Sequence, residues 1–189
     1  MIGGYFMERI NRLLHHPDFS ENLKRLDILE MNRIYCRHGL PHLLDVARIA
    51  CLLQYKKKET FESAILFSDE IIYAAALLHD LGRVFEYEQA LPHETAGLEL
   101  AEIILNDCSF TKSEQSLILD AIQFHRKNPD SDSPLNHSNL LSNNIEIKKI
   151  LSLRSLLYNA DKLSRNCFAC NAFSGCYWAE SEKNQGIVY

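Results

Sequence analysis

The chain is short of the signals that mark sheet proteins, membrane spans and binders of nucleic acid polymers. Glycine and proline are scarce, seven and five in 189 residues, so turn signals are few. Apolar residues instead recur at three-and-four spacing through most segments, which selects helices over alternating strands. No stretch reaches the roughly 20 apolar residues that cross a bilayer, and the opening MIGGYFMERINRLLHHP lacks a positive start followed by a long apolar core. The expected location is therefore the cytoplasm. Positive charge is also in deficit: a net charge of -5 disfavours nucleic acid polymers and anionic membranes as partners, while leaving room for a small anion held by a few local cations. The six cysteines, reduced in that compartment, suit metal binding or burial better than a disulfide framework.

What is present reads as one all-α domain over residues 1–189, with a short Cys-rich C-terminal segment, about 167–189, packed on it. The apolar periodicity predicts helices over 5–15, 20–36, 41–57, 69–81, 93–106, 112–126 and 145–163. Ser68 before DEII, Thr111 three residues before Glu114, and Pro41 at a first helical position are start signals. Residues 127–144, rich in Asn, Ser, Asp and Pro, read as one long loop.

Several titratable residues stand where apolar ones belong. His79 and Asp80 follow the apolar AAALL, at the inner end of a helix expected to be buried. A buried carboxylate must be paired or bound to a metal, because leaving it alone costs several kcal/mol. His42 sits beside the first turn of an apolar stripe, His93 opens a helix, His125 closes another, and Asp161 interrupts the apolar face of LRSLLYNADKL. Each alone has a bland reading as a satisfied core group or a helix-terminal charge. Together they form a mixed nitrogen and oxygen set suited to Mn, Fe, Co, Ni or Zn, in which Asp80 is able to bridge two ions. The histidines at 15, 16 and 137 lie in polar surroundings and are expected at the surface.

The order histidine, His-Asp, histidine, histidine, aspartate, carried by HLLDVARIA, ALLHDLGR and NADKLSR, resembles the HD-domain superfamily of metal-dependent phosphohydrolases across residues 37–165. That resemblance implies a compact all-helical bundle and one or two divalent ions (Mn, Fe, Co, Ni, Zn or Mg). It implies that His42, His79, Asp80 and Asp161 hold the first ion and that His93 and His125 help to hold a second. Members with a two-metal centre often carry two consecutive histidines at the fourth motif; here Arg126 follows His125. The chain also lacks the Gly-Tyr-Pro signature of the cyclic-dinucleotide branch.

The residue types suit attack on phosphorus by a water whose pKa a metal lowers, with Asp80 central and Arg83 and Lys162 placed to meet a substrate phosphate. Arg126 is a further candidate for that contact. His38, cut off from His42 by Gly39-Leu40-Pro41, is expected behind the ligands or near the pocket mouth rather than as a ligand, and Glu86 is expected to orient a water or to pair with Arg83. The function expected is hydrolysis of a phosphate ester or phosphoanhydride of a small molecule, with a nucleotide as the leading candidate. The alternative is a metal-stabilised nucleotide-binding or regulatory module without turnover.

One feature stands outside this scheme. Cys167, Cys170 and Cys176 form a C-x2-C-x5-C array, with Cys36 as the candidate fourth ligand. It reads as a separate site for structural zinc, with an iron–sulfur cluster less favoured, or as reduced thiols packed with Phe168, Phe173, Tyr177 and Trp178 in a hydrophobic lid.

Overall fold

The computed structural model describes residues 6–60, 65–128 and 145–188. Among them are nine α-helices, and no strand: α1 (Glu8–Leu14), α2 (Pro17–Leu29), α3 (Leu40–Thr60), α4 (Asp69–Leu78), α5 (Arg83–Gln89), α6 (His93–Ala96), α7 (Leu98–Asp107), α8 (Lys112–Phe124) and α9 (Ile145–Leu163). None of them is long and apolar enough to cross a membrane.

The core is built around α4, which is almost wholly apolar beyond its first turn. Ser68 caps it by accepting from the Ile71 N–H, and Asp69 and Glu70 place negative charge in its first turn. Beyond that turn Ile72 and the run Ala74 to Leu78 are all buried. The three alanines let neighbouring helices come close, and α4 packs against α1, α3, α8 and α9. Leu43, Val46 and Ala50 of α3, Ile118 and Ile122 of α8, and Leu153, Leu157 and Ala160 of α9 complete this cluster. Each fully buried Ile or Leu contributes roughly 1.5–3 kcal/mol. Three of them on α4 therefore offset the several kcal/mol that a polar group at its inner end costs.

Polar clamps fix the helix ends around this core. Arg9 reaches from α1 to Glu70 of α4 at 2.6 Å and to Glu114 of α8 at 2.9 Å. Glu114 also closes the capping box with Thr111 expected for α8. Arg154 of α9 forks onto Asp120 of α8, with both contacts at 2.5 Å.

The all-α expectation holds, with local differences in where helices break. The second helix begins at Pro17, capped by the His16 ring, and stops at Leu29, because Glu30 turns inward to accept from His38. The span 30–36 is therefore not helical. Residues 83–89 form the short helix α5, and the segment expected as one helix over 93–106 is divided into α6 and α7 at Gly97. Of the expected loop, 129–144 lies outside the described residues, as does His137.

Gly82 shows what sets that division. Its φ of -60° is ordinary, so the glycine is not there for backbone freedom. A Cβ at this position would lie 2.0 Å from the His93 carbonyl oxygen and 2.9 Å from the Gly97 nitrogen. The turn after α4 thus rests directly on the backbone of α6, which carries His93 up to Asp80. Gly82→Ala is expected to lower stability by about 3 kcal/mol through this clash, read as a fall in Tm; an unchanged Tm would contradict the close approach.

Candidate metal centre

Six titratable side chains from five helices or their ends converge at the inner end of α4. His79 and Asp80 follow its last residue, His42 lies in the first turn of α3, Asp161 in the last turn of α9, His93 opens α6 and His125 follows α8. His79, Asp80, His93 and His125 are 0–2% exposed. The side chains of His42 and Asp161 keep 12% and 14% exposed, which makes them the open side of the cluster.

Asp80 divides its two oxygens between two groups of histidines. Oδ2 lies 3.1 Å from His79 Nε2 and 3.4 Å from His42 Nε2. His42 Nε2 in turn lies 3.6 Å from Asp161 Oδ1. Oδ1 lies 3.3 Å from His93 Nε2 and 3.8 Å from His125 Nε2, and accepts from Arg83 Nε at 2.8 Å. The ligand atoms of His42, His79, Asp80 and Asp161 fall within 4.8 Å of one another, and so do those of Asp80, His93 and His125.

Backbone carbonyls decide which ring nitrogen carries the lone pair. His79 Nδ1 donates to Ala76 O at 2.7 Å and His125 Nδ1 to Ile122 O at 2.6 Å. A carbonyl only accepts, so both rings present an unprotonated Nε2 to the centre when neutral. Ser164 Oγ donates to Asp161 O at 2.7 Å and so accepts from His42 Nδ1 at 3.3 Å, which aims the His42 lone pair inward as well. Nε2 of His42 and of His79 are buried without a hydrogen-bond partner. His93 and His125 face each other through their Nε2 atoms at 3.3 Å, and His93 Nδ1 stands 3.0 Å from Glu86 Oε2. Lone pairs crowded against a shared carboxylate are a donor set that fits divalent cations.

The HD domain family matches residues 39–166 of the chain. The chain belongs to that family. HD domains form a superfamily of metal-dependent phosphohydrolases, and the paired His and Asp groups fit such a metal. An uncharacterized protein of Clostridium beijerinckii is 34% identical over 183 residues, which cover 97% of this chain and 100% of that relative. No solved structure matches the chain.

Charge in the HD centre is set by competition between burial and neighbours. Burial drives the Asp80 carboxyl up, but His79 and Arg83 outweigh it and hold the group well below the usual range. Asp161, pushed up by burial and pulled down by Lys162 and His79, is held at about 2. Burial, then the charge of His79, lowers His125 to about 3, which keeps that imidazole neutral. His79 is itself raised, because Asp80 and Asp161 outweigh its burial.

A cavity of about 1140 Å³ opens from the HD centre, with His42, His125 and Asp161 in its wall. Six cations (Arg33, Lys57, Arg83, Arg126, Lys162 and Arg165) line it against three acids (Glu86, Asp161 and Glu182). Arg83 is held between Asp80 and Glu86, which is one of the two roles expected for Glu86. Lys162 lies 2.5 Å from Asp161 and 5.0 Å from the Tyr158 ring centroid. Arg126 is more exposed and stands 3.9 Å from Glu94.

His38 sits at the cavity wall and is in neither ligand group. Its ring meets His42 edge-on at 5.5 Å, and its Nδ1 donates to Glu30 Oε1 at 2.6 Å. The Tyr87 hydroxyl donates to the same oxygen at 2.7 Å. Sequence patterning passes over Glu30, Tyr87 and Ser164, because each acts through a partner on another element and none breaks an apolar stripe. Burial raises the Glu30 carboxyl, but the hydrogen bonds and charge of His38 outweigh it and hold the group at about 2. A carboxyl lowered on folding contributes stability above its unfolded value of about 4.5, and that contribution is lost as pH falls toward 2. Glu30→Gln is expected to be less stable at neutral pH and to lose less stability than wild type between pH 4.5 and 3; equal acid slopes in urea titrations would contradict this.

Proposed function

We propose that the chain is a metal-dependent phosphohydrolase acting on a phosphate ester or phosphoanhydride of a small molecule, a nucleotide in the first instance. The observation that carries this reading is the division of Asp80, whose two oxygens face separate groups of imidazole lone pairs. His42, His79, Asp80 and Asp161 would hold the first ion, and Asp80, His93 and His125 a second. Divalent ions held there would supply Lewis acidity toward phosphoryl oxygens and would activate water.

The remaining work belongs to the side chains around them. Ser164 and the Ala76 and Ile122 carbonyls hold the imidazole rings in the liganding tautomer. Arg83 and Lys162 bring fixed positive charge to the cavity wall where phosphoryl oxygens would lie. Tyr158, Tyr177 and Trp178, with Leu53, Ile65 and Phe67, give the same cavity an aromatic and apolar surface that suits a nucleobase. This surface supports a nucleotide over a plain sugar phosphate.

The rival reading is a metal-stabilised nucleotide-binding module without turnover. It is favoured by the 2.8 Å contact of Arg83 with Oδ1 of Asp80, which already supplies a cation to the oxygen that the second ligand group needs. A panel of nucleotides and simple phosphoesters, run with Mn, Co, Ni, Zn and Mg, separates the two. Wild type is expected to turn over at least one substrate, and Asp80→Ala to lose both bound metal and activity. Tight nucleotide binding without hydrolysis would favour the rival, and turnover retained by Asp80→Ala would refute the assignment of the centre.

A further inference from the structure

Residues 164–188 bury little apolar surface: Cys167 is the one buried hydrophobic residue among them. They run through three short 3-10 turns, Cys167–Ala169, Phe173–Gly175 and Glu180–Glu182. Phe168, Tyr177, Ile187 and Val188 are 47–75% exposed. Of the four aromatic rings expected to form a lid, Phe173 and Trp178 are half-buried, while Phe168 and Tyr177 face solvent, so hydrophobic packing holds only part of the segment. Its polar ties include Ser164 Oγ with His42 Nδ1 and Asp161 O, the Tyr35 hydroxyl donating to Gly175 O at 3.0 Å, and Asn184 Nδ2 donating to Lys162, Leu163 and Arg165 carbonyls. A segment so poor in buried apolar area needs a further staple.

A second cavity, of about 340 Å³, lies between this segment and the start of α3, and Cys36, Cys167, Cys170 and Cys176 all line it. All four are free thiols, drawn from opposite ends of the chain. The Cys170 N–H donates to Cys167 O at 3.1 Å, which folds the C-x2-C pair into a tight knuckle. Arg37, Arg165 and Lys183 line the cavity against Asp45. The Lys183 side chain is only 5% exposed; its ammonium donates to Phe173 O at 2.8 Å and stands 3.8 Å from Glu180, which leaves its charge only weakly neutralised. This is a positive wall suited to an anionic occupant.

The grouping of the sulfurs bears on the occupant. A single zinc at about 2.3 Å from each thiolate draws the sulfurs to about 3.8 Å from one another. Among the described residues, the groups whose ligand atoms lie within 4.8 Å are the two of the HD centre, and no three of these cysteines form such a group. Four thiols that line a cavity of about 340 Å³ without any three of them converging to single-ion spacing leave room for an occupant larger than one ion. The structure-based preference is thus the reverse of the expectation from spacing in sequence alone, which leaned toward zinc.

We propose that Cys36, Cys167, Cys170 and Cys176 ligate a [4Fe–4S] cluster that fastens the C-terminal segment beside the HD centre. Each thiol gives up its proton and forms one bond to iron, with no change in the oxidation state of the protein. With four thiolates the usual oxidised cluster carries a net charge of about -2, which Arg37, Arg165 and Lys183 offset. Cys176 also lines the large cavity, as do Tyr177, Trp178 and Glu182, so the cluster would fix part of the substrate wall. This site stands apart from the hydrolase reading and does not depend on it.

Acid-labile sulfide is the decisive readout, because an iron ion in the HD centre carries none. Full-length wild type, Asp80→Ala and the double variant Cys167→Ser/Cys170→Ser are reconstituted anaerobically with equal parts of ferrous and ferric iron and with sulfide, desalted and assayed, with visible absorption recorded alongside. About four sulfides per chain and a thiolate-to-iron band are expected in wild type and in Asp80→Ala. Both signals should fall by at least about tenfold in the double variant, while its helical circular dichroism is kept. Wild type without sulfide, whether it holds one zinc or no metal at these thiols, would overturn the proposal, as would sulfide undiminished in the double variant.

Discussion

Placing the Asp80 carboxylate at the inner end of α4, 1% exposed, obliges the rest of the fold to surround it with compensating groups. An unpaired buried carboxylate costs several kcal/mol, and α4 cannot move it to solvent without exposing Ile72, Leu77 and Leu78. The other helices meet this demand from different sides. The first turn of α3 brings His42, the Gly82–Gly97 contact brings His93, the end of α8 brings His125, and Arg83 returns from α5. The site is the consequence of one apolar helix that ends in a charge.

Charge is arranged locally against the chain's overall balance. The net charge is -5, yet the cavity beside the HD centre has twice as many cations as acids in its wall. A field of this kind draws in a small anion without making the whole surface adhesive to phosphate polymers. The same economy recurs at the cysteine cavity, where three cations gather around four thiols.

The parts readable in the sequence were those in which a residue breaks a pattern. A histidine and an aspartate after AAALL, and an aspartate within LRSLLYNADKL, interrupt apolar periodicity, and both stretches lie where the structure gathers the centre. The breaks in the helices were harder to read. Gly97 looks like a tolerated helical glycine until the backbone of Gly82 is found resting on it. Glu30 looks like a surface residue until His38 and Tyr87 are seen to donate to it. Ser164 sits beyond α9 and shows its role only beside His42. These depend on contacts between distant segments, which one-dimensional spacing does not carry. The cysteine spacing pointed to ligation, but the choice between one ion and a cluster rests on separations in space.

The central claim is that the lone pairs gathered around Asp80 are a divalent metal site divided by that carboxylate. Anomalous diffraction from crystals grown with Mn tests it most directly. The account predicts one anomalous peak among His42, His79, Asp80 and Asp161, and a second peak between Asp80, His93 and His125. Crystals with ordered manganese elsewhere, and none within coordination distance of Asp80, would contradict it.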